Sequence, residues 1–404
     1  MDIKTSSLLK KSIMDINNRT ISTESLTELR MHGLTWAQIS RHFGVTYSTI
    51  KWFRRVNNFS DRFDICSSKT DYSNLDRIKT IVEQYSTSNP NCGEKMLQGY
   101  LLGVHDIKIS REKLREIIQE VDPDGRSRRL AQKLSSKITR VKYSVPGPGY
   151  LWHGDTYHKI GRFGFVVFGQ VDGFTHECIC LKMSTNNFAS SVLDAAVPKI
   201  YTFGAPRLIR GDAGMENVGI GQLMNALRGP ESFLIGKSVN NQRIERFWRD
   251  VADQVLGKYY AFFHSFLLVN QDLLECPENI WIMQHLFLDK MKFEIKKFRE
   301  AWNSHSLRAS DNTRCSPGAR RVLSENNHYI QIDHDDNEVR QLINDLRSQY
   351  EGRPSSRSIS SFENPKKEIL FKERCPPLLE LDETSDFGIK LQSAFHEANE
   401  LLNN

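Results

Sequence analysis

The chain reads as an α/β core held between all-helical flanks. Apolar residues keep helical spacing over residues 24–56 and 73–122. From residue 150 the spacing becomes that of strands, three of them close together, and strand and helix then alternate. Beyond 278 the helical period returns. The first change falls at VPGPGY, where Pro146, Gly147, Pro148 and Gly149 interrupt regular structure and mark a boundary.

Residues 24–56 open the helical part. Leu26, Leu29 and Met31 suit one short helix, and Thr35 can cap a second that carries Trp36, Ile39 and Phe43. Gly44 supplies a turn, and Thr46 or Ser48 starts a third helix with Ile50 and Phe53 inward. Two short helices joined by a Gly-containing turn, the second ending in Lys51, Arg54 and Arg55, form a helix-turn-helix pattern suited to DNA. Residues 73–122 form a second helical unit, with Leu75, Ile78, Ile81 and Val82 in phase and Ser110 capping a helix that holds Leu114, Ile117 and Ile118. Its last helix is less basic, so packing or dimerisation suits it as well as DNA does.

The strands follow. YLWHGDTYHKI, RFGFVVFGQVDGF and HECICLKMST are joined by short connections, which predicts an antiparallel meander. A helix over NNFASSVLDAAVPKIYTFG leads to PRLIRGD, a short buried strand. ENVGIGQLMNALRG is helical, ESFLIGKS is a candidate strand, and NNQRIERFWRDVADQVLGKYYAFFHSFLL reads as one long helix. Meander followed by alternation implies a mixed sheet with helices on its faces. Residues 278–349 are helical, with Trp281, Leu286, Leu288, Met291, Phe293 and Phe298 as core candidates. The tail from about 351 is rich in Ser, Pro and charge, and is expected to be largely disordered.

The organisation expected is therefore a helix-turn-helix domain at 1–65, a second helical domain at 66–124, a basic linker at 125–149, a core at 150–320, a helical segment at 321–350 and the tail at 351–404. No run of about 18 apolar residues is present, so no membrane-spanning helix is expected. The first twenty residues lack the apolar stretch of a secretory signal. Seven scattered cysteines fit free thiols in a reducing compartment. Cys178 and Cys180 share one strand face and suit a core pair better than a metal pair, since no second pair at zinc spacing accompanies them.

Charge is unevenly spread. The chain carries 55 basic and 49 acidic residues, a net of +6, yet residues 1–150 hold 25 basic against 16 acidic. The stretch 125–150 has seven basic residues and no acid, Arg126, Arg128 and Arg129 among them. Such a segment can lie along a phosphate backbone or serve as a solvated linker.

Three carboxylates stand out against this background. Asp155 lies in the first strand, Asp212 where PRLIR ends, and Glu245 one turn into the long helix, among Arg243, Arg246 and Arg249. On its own, the stretch around Glu245 favours surface ion pairing. Neighbouring strands can bring Asp155 and Asp212 together, and a helix crossing the sheet edge can add Glu245. Three converging carboxylates repel one another unless cations neutralise them, and hard oxygen ligands suit Mg²⁺ or Mn²⁺. Two such ions can activate an attacking oxygen and stabilise a leaving one. His153 shares the strand face of Asp155 and could orient it; Trp152 and Trp248 read as core.

WHGDTYHK, QVDGFT, RGDAGMEN and NNQRIERFWRD, in this order, resemble the catalytic core of the retroviral integrase and DDE transposase superfamily. They look most like the integrase-core proteins of animal and fungal genomes. AWNSHSLRAS and the SPG near 318 are similar to the segment that closes that core. The resemblance implies an RNase H-like fold with a five-stranded mixed sheet and flanking helices. It makes Asp155, Asp212 and Glu245 the metal ligands, and gives Asp172 a structural role. Two departures stand out. AGMEN follows Asp212 where retroviral integrases commonly have Asn-Gly, and helix-turn-helix units replace an N-terminal zinc module.

The function expected is metal-dependent DNA cleavage and strand transfer by an integrase or transposase of a mobile element, using two Mg²⁺ or Mn²⁺ ions. Lys51, Arg54, Arg55, Arg126, Arg128, Arg129 and Arg249 would contact double-stranded DNA, at element ends and target. A homo-oligomer on DNA, in the nucleus or otherwise the cytoplasm, goes with that expectation. Two rivals are a domesticated DNA-binding regulator of the same descent and an RNase H-type nuclease that hydrolyses without transfer.

Overall fold

The computed structural model describes residues 13–16, 19–59, 75–125, 143–236, 241–269, 277–308, 314–324, 326–352, 365–378 and 387–403. The chain forms two compact units. One contains residues 1–87, 92–138 and 300–325, the other 88–91, 139–299 and 326–404.

The first unit opens with a hairpin that the sequence pattern does not announce, β1 (Ile13–Ile16) paired antiparallel with β2 (Arg19–Ser22). Ser22 caps α1 (Thr23–Met31), and Thr35 caps α2 (Trp36–His42) through Gln38 in a reciprocal pair of hydrogen bonds. Gly44, at φ +65°, turns the chain into α3 (Tyr47–Val56), capped by Thr46. Leu26, Leu29, Ile39, Phe43, Ile50 and Phe53 form its core. Met31, at the end of α1, is exposed. Ala319 of a later helix, α12 (Pro317–Leu323), completes this core, and Ser316 donates a hydrogen bond to the His32 carbonyl. The unit also holds α4 (Leu75–Ser88), α5 (Glu94–His105) and α6 (Arg111–Val121). The two helical domains expected at 1–65 and 66–124 thus share one unit with 300–325, a segment expected in the core and its C-terminal extension.

The second unit is built on a five-stranded mixed sheet. Its strands are β3 (Leu151–Tyr157), β4 (Val166–Asp172), β5 (Cys178–Ser184), β6 (Leu208–Gly211) and β7 (Phe233–Ile235), in the order β5-β4-β3-β6-β7. The meander β3–β4–β5 is antiparallel, and β6 and β7 add in parallel. Alternation along β3 sends Trp152 to one face and His153 and Asp155 to the other. On the Trp152 face, Phe168, Ile179, Cys180 and Ile209 meet α7 (Ala189–Phe203), α8 (Val218–Arg228) and α13 (Asn337–Gln349). The opposite face is crossed by α9 (Gln242–Val251), which packs on β3 and β4. The long helix expected from residue 240 is present from 242 to 269, with one π turn (Ala252–Leu256) between α9 and α10 (Gly257–Val269).

The tail is a correction. Residues 365–374 and 387–403 are helices, α14 and α15, rather than disordered chain. Phe371, Phe387, Leu391, Ala394 and Ala398 are buried, at helical spacing within a polar sequence. Phe387 stacks on Tyr259 and meets Phe262 of α10 and Phe287 of α11 (Pro277–Ser304). Phe293, expected in the core, is exposed.

Candidate functional site

Strand register brings the first two carboxylates level. On β3 and β6, which run parallel, His153 stands opposite Arg210. Two residues further along each strand lie Asp155 and Asp212, the latter just past the end of β6 at Gly211. Across the antiparallel pair, Asp155 faces Gly169 of β4. A side chain at Gly169 would meet the Trp248 ring at 2.7 Å, so the missing Cβ is what lets α9 lie close over the sheet.

That approach has a direct result. The Trp248 indole nitrogen donates to Asp155 Oδ2 at 2.9 Å, while the ring packs against Tyr157. Glu245, three residues before Trp248, is exposed on the same helix. Burial pushes the Asp155 carboxyl up to about 6, the Trp248 and Thr156 N–H groups oppose it, and the charges of Glu245 and Asp212 push it further the same way. Both other acids therefore act on Asp155 through space. Among the described residues no cation forms an ion pair with any of them.

Asp212 is held by its own loop. Asn217 Nδ2 donates to Asp212 Oδ1 at 2.7 Å, and the Gly214 backbone N–H at 3.2 Å. Asn217 is buried, so this loop keeps a fixed acceptor geometry despite its AGMEN sequence. Asp172, by contrast, is fully buried and closes the β4–β5 turn. It accepts from the backbone N–H groups of Gly149, Phe174 and Thr175 and from the Thr175 hydroxyl, which leaves it no capacity for a ligand. Cys178 and Cys180 are both buried in β5, with thiols pushed up by burial, but they do not share a face as expected: a register shift pairs Cys180 with Gln170 and Cys178 with Val171, neighbours that face opposite sides of β4.

The donor set of Asp155, Asp212 and Glu245 fits a small divalent cation: hard oxygens, mutual repulsion and no ion-pairing cation among the described residues to relieve it. Among those residues no three His, Cys, Asp or Glu side chains close around a common point. A small hard ion tolerates this, since it completes its shell with waters and phosphate oxygens rather than an all-protein cage.

A family model described as integrase core domain matches residues 142–325, which take in the sheet, all three carboxylates and α9. This segment is an integrase core domain. No curated protein matches the chain. Among solved structures, it is similar to a chain in the cryo-EM structure of the simian T-cell lymphotropic virus intasome in complex with PP2A regulatory subunit B56 gamma. The identity is 12% and the TM-score 0.32, over 63% of this chain and 76% of that one.

Around the integrase core carboxylates, sequence reading missed three side chains. Trp248 is buried, as expected of a core residue, and its N–H is in addition spent on Asp155; its place one turn after Glu245 was the available signal. Asn217 orients Asp212, and Asn241 ties the start of α9 to β3. His153 does not orient Asp155. It is buried, bonds Asn241 Oδ1 at 2.6 Å, and is held down to about 4, chiefly by burial.

The residues expected at DNA divide into three groups. Lys51 and Arg55 are exposed on α3 beside Tyr47 and Trp52, the latter 57% exposed. Arg54 is instead half-buried, with its guanidinium 3.9 Å from the Trp36 ring centre. The cause is helical phase, since Arg54 adjoins the buried Phe53 and lies one turn after the buried Ile50. Arg249 is exposed on α9, while Arg246 pairs with Asp250 and Arg243 lies over Tyr143. Arg126, Arg128 and Arg129 lie outside the described residues. In the second helical region Arg111 and Arg115 both pair with Glu94, and Lys113 pairs with Glu116. No helix among the described residues is long and apolar enough to cross a membrane.

Proposed function

We propose that this protein cleaves DNA and joins the freed end to a second duplex, as an integrase or transposase of a mobile element working where the genome is, in the nucleus. One observation carries the reading. Asp155 and Asp212 stand level on adjacent parallel strands, and Glu245 on α9 is close enough to raise the Asp155 carboxyl.

Asp155, Asp212 and Glu245 would hold two Mg²⁺ or Mn²⁺ ions. Bound there, such ions lower the barrier to attack at phosphorus and stabilise the leaving oxygen. The chain's own residues supply position. Trp248 and Asn217 each present a fixed N–H donor, which orients the carboxylates of Asp155 and Asp212. Arg249, exposed on the same helix as Glu245, is placed to take a phosphate of the bound strand. In the first step the oxygen of water bonds to phosphorus as the bond to the 3′-oxygen breaks, and that oxygen leaves protonated. In the second step the 3′-hydroxyl attacks a target phosphodiester and displaces its 3′-oxygen. Lys51 and Arg55 on α3 supply duplex affinity, and a homo-oligomer would bring two ends together.

The test uses the full chain, Mg²⁺ or Mn²⁺, a labelled duplex ending in the element's terminal sequence, and a plasmid. Wild type should nick the duplex and join it to the plasmid, and Asp155→Asn and Asp212→Asn should do neither while remaining folded. Cleavage without joining would favour a hydrolytic nuclease. DNA binding with neither reaction would favour a regulator.

A further inference from the structure

Asn241 precedes the first residue of α9, where an Asn side chain ordinarily caps its own helix. Here it makes no such bond. Its Nδ2 donates to the Gly154 carbonyl at 2.9 Å and its Oδ1 meets His153 Nδ1 at 2.6 Å. For a neutral imidazole only one arrangement of protons satisfies these contacts. Turning the amide over would set Oδ1 against the Gly154 carbonyl, acceptor against acceptor. Oδ1 can only accept, so His153 carries its proton on Nδ1. The other ring nitrogen, Nε2, must then accept, and Tyr143 Oη lies 2.6 Å from it and donates. The chain of bonds runs Tyr143 to His153 to Asn241 to Gly154. Every member is neutral, and each of the three contacts pairs one donor with one acceptor.

The chain ends at Glu245. The Asn241 carbonyl accepts from the backbone N–H groups of Ile244 and Glu245, at 3.1 and 3.2 Å. Whatever fixes Asn241 therefore fixes the turn that carries Glu245. Tyr143 reaches the same helix by a second route, because the Arg243 guanidinium lies 4.3 Å from its ring centre. Gly173 leaves room for the Tyr143 hydroxyl, since a Cβ there would collide with it. The sites of Asp155 and Asp212 are set by the sheet and its loops. Glu245 lies instead on a helix, one turn after the N-cap residue Asn241. Its placement needs a separate anchor.

We propose that Tyr143, His153 and Asn241 are positioning residues, a neutral hydrogen-bonded chain that holds the first turn of α9 against β3 and so sets the reach of Glu245 toward Asp155 and Asp212. The proposal rests on the metal-holding role given to these carboxylates above. It also gives the end of the basic stretch 125–150 a task in the site, because Tyr143 belongs to that stretch.

The test is a titration of the full-length protein with Mn²⁺ alone, followed by electron paramagnetic resonance, without DNA. Asn241→Ala should weaken Mn²⁺ binding about ten-fold, the low end for a residue that orients a ligand through another group. Tyr143→Phe, which removes only the hydroxyl, should give a smaller loss in the same direction. The deciding measurement repeats both changes in a Glu245→Gln background. A chain that acts through Glu245 has nothing left to position there, so neither change should lower affinity further. Unchanged Mn²⁺ affinity in the single variants would overturn the proposal. So would an equal loss with and without Glu245, since that is general damage to the site. If Asn241→Ala does not fold, Tyr143→Phe decides by the same two criteria. A wild-type protein whose Mn²⁺ binding does not depend on Asp155 would refute the metal-holding role itself, and the positioning role with it.

Discussion

Asp155 shows how a single side chain reports its surroundings. Its carboxyl is pushed up to about 6 by burial and by two neighbouring acids, against 3.8 for an ordinary aspartate. A group raised in the folded state contributes stability that is fully present below the unfolded value and lost as pH rises through the folded one. Ion-free protein should therefore lose stability between about pH 4 and pH 6, by on the order of 2–3 kcal/mol. Asp155→Asn should lack this component, so urea midpoints of the two proteins, equal in slope, should converge toward pH 4 and separate toward pH 7. Saturating Mg²⁺ should reverse the loss in wild type alone, because the ion binds the charged form. Trp248→Phe keeps an aromatic ring over Gly169 but removes the donor to Asp155. The charged carboxylate loses a stabilising bond, and the pH of half-maximal Mg²⁺-dependent cleavage should rise by about one unit, roughly 1.4 kcal/mol. An unaltered pH profile would show that the indole N–H has no influence on the site.

At the scale of elements, the packing of α9 on the sheet depends on what β4 lacks. Gly169 faces Asp155 across the pair, and a methyl group there would press on the Trp248 ring, with Ile244 next in line. Both side chains belong to the helix that carries Glu245, so Gly169→Ala should lift α9 rather than unfold the sheet. The expected cost is about 1–3 kcal/mol of stability, typical of overpacking. Cleavage should fall by a larger factor than that destabilisation would suggest, since small displacements of reacting groups cost on the order of a hundred-fold. Comparing thermal midpoint with cleavage rate separates the two effects. The C-terminal helices make the opposite point. A polar, charged tail still buries Phe371 and Phe387, because each helix needs only one apolar stripe and the aromatic surface of α10 and α11 receives it. Phe387→Ala should cost about 3–5 kcal/mol, measured by urea unfolding.

Across the molecule, charge and packing assign different work to residues of one type. Lys51 and Arg55 are exposed on α3, whereas Arg54 lies on Trp36 and Arg111 and Arg115 are held by Glu94. Lys51→Ala with Arg55→Ala in the full chain should weaken duplex binding. The slope of log affinity against log salt should fall by about 2, one for each phosphate no longer neutralised. Arg54→Ala should leave that slope alone and cost about 1 kcal/mol of stability instead, the worth of a partly desolvated cation over an aromatic ring. Filter binding over a salt series, with thermal melts of the same variants, distinguishes the two. The first unit also draws on distant sequence. Ala319 lies in the core built by Leu26, Ile39 and Phe53, so a fragment of residues 1–145 lacks part of its own interior. It should melt well below the full chain by circular dichroism, and supplying residues 300–325 should restore much of the difference.

Local pattern determined a good deal by itself. Period-two runs marked the meander, Thr35 and Ser110 announced their caps, and Gly44 the turn. Asp155, Asp212 and Glu245 are singled out only by the resemblance that the four motifs carry together, because the few residues around Glu245 suit a surface ion pair. Only the tertiary structure decided which side chains serve those acids. Trp248 reads as core from its own neighbours, and its N–H finds Asp155 only because Gly169, some eighty positions earlier, lets the helix descend. Asn241 reads as a helix cap, and becomes an anchor only when β3 presents His153 and the Gly154 carbonyl. Arg54 looks like its neighbours Lys51 and Arg55 until Trp36 takes it. The physical reason is common to all three. Periodicity and capping are set by bonds between residues three or four apart, whereas a hydrogen-bond partner for a long or amide side chain is chosen by whatever the fold brings within about 3 Å.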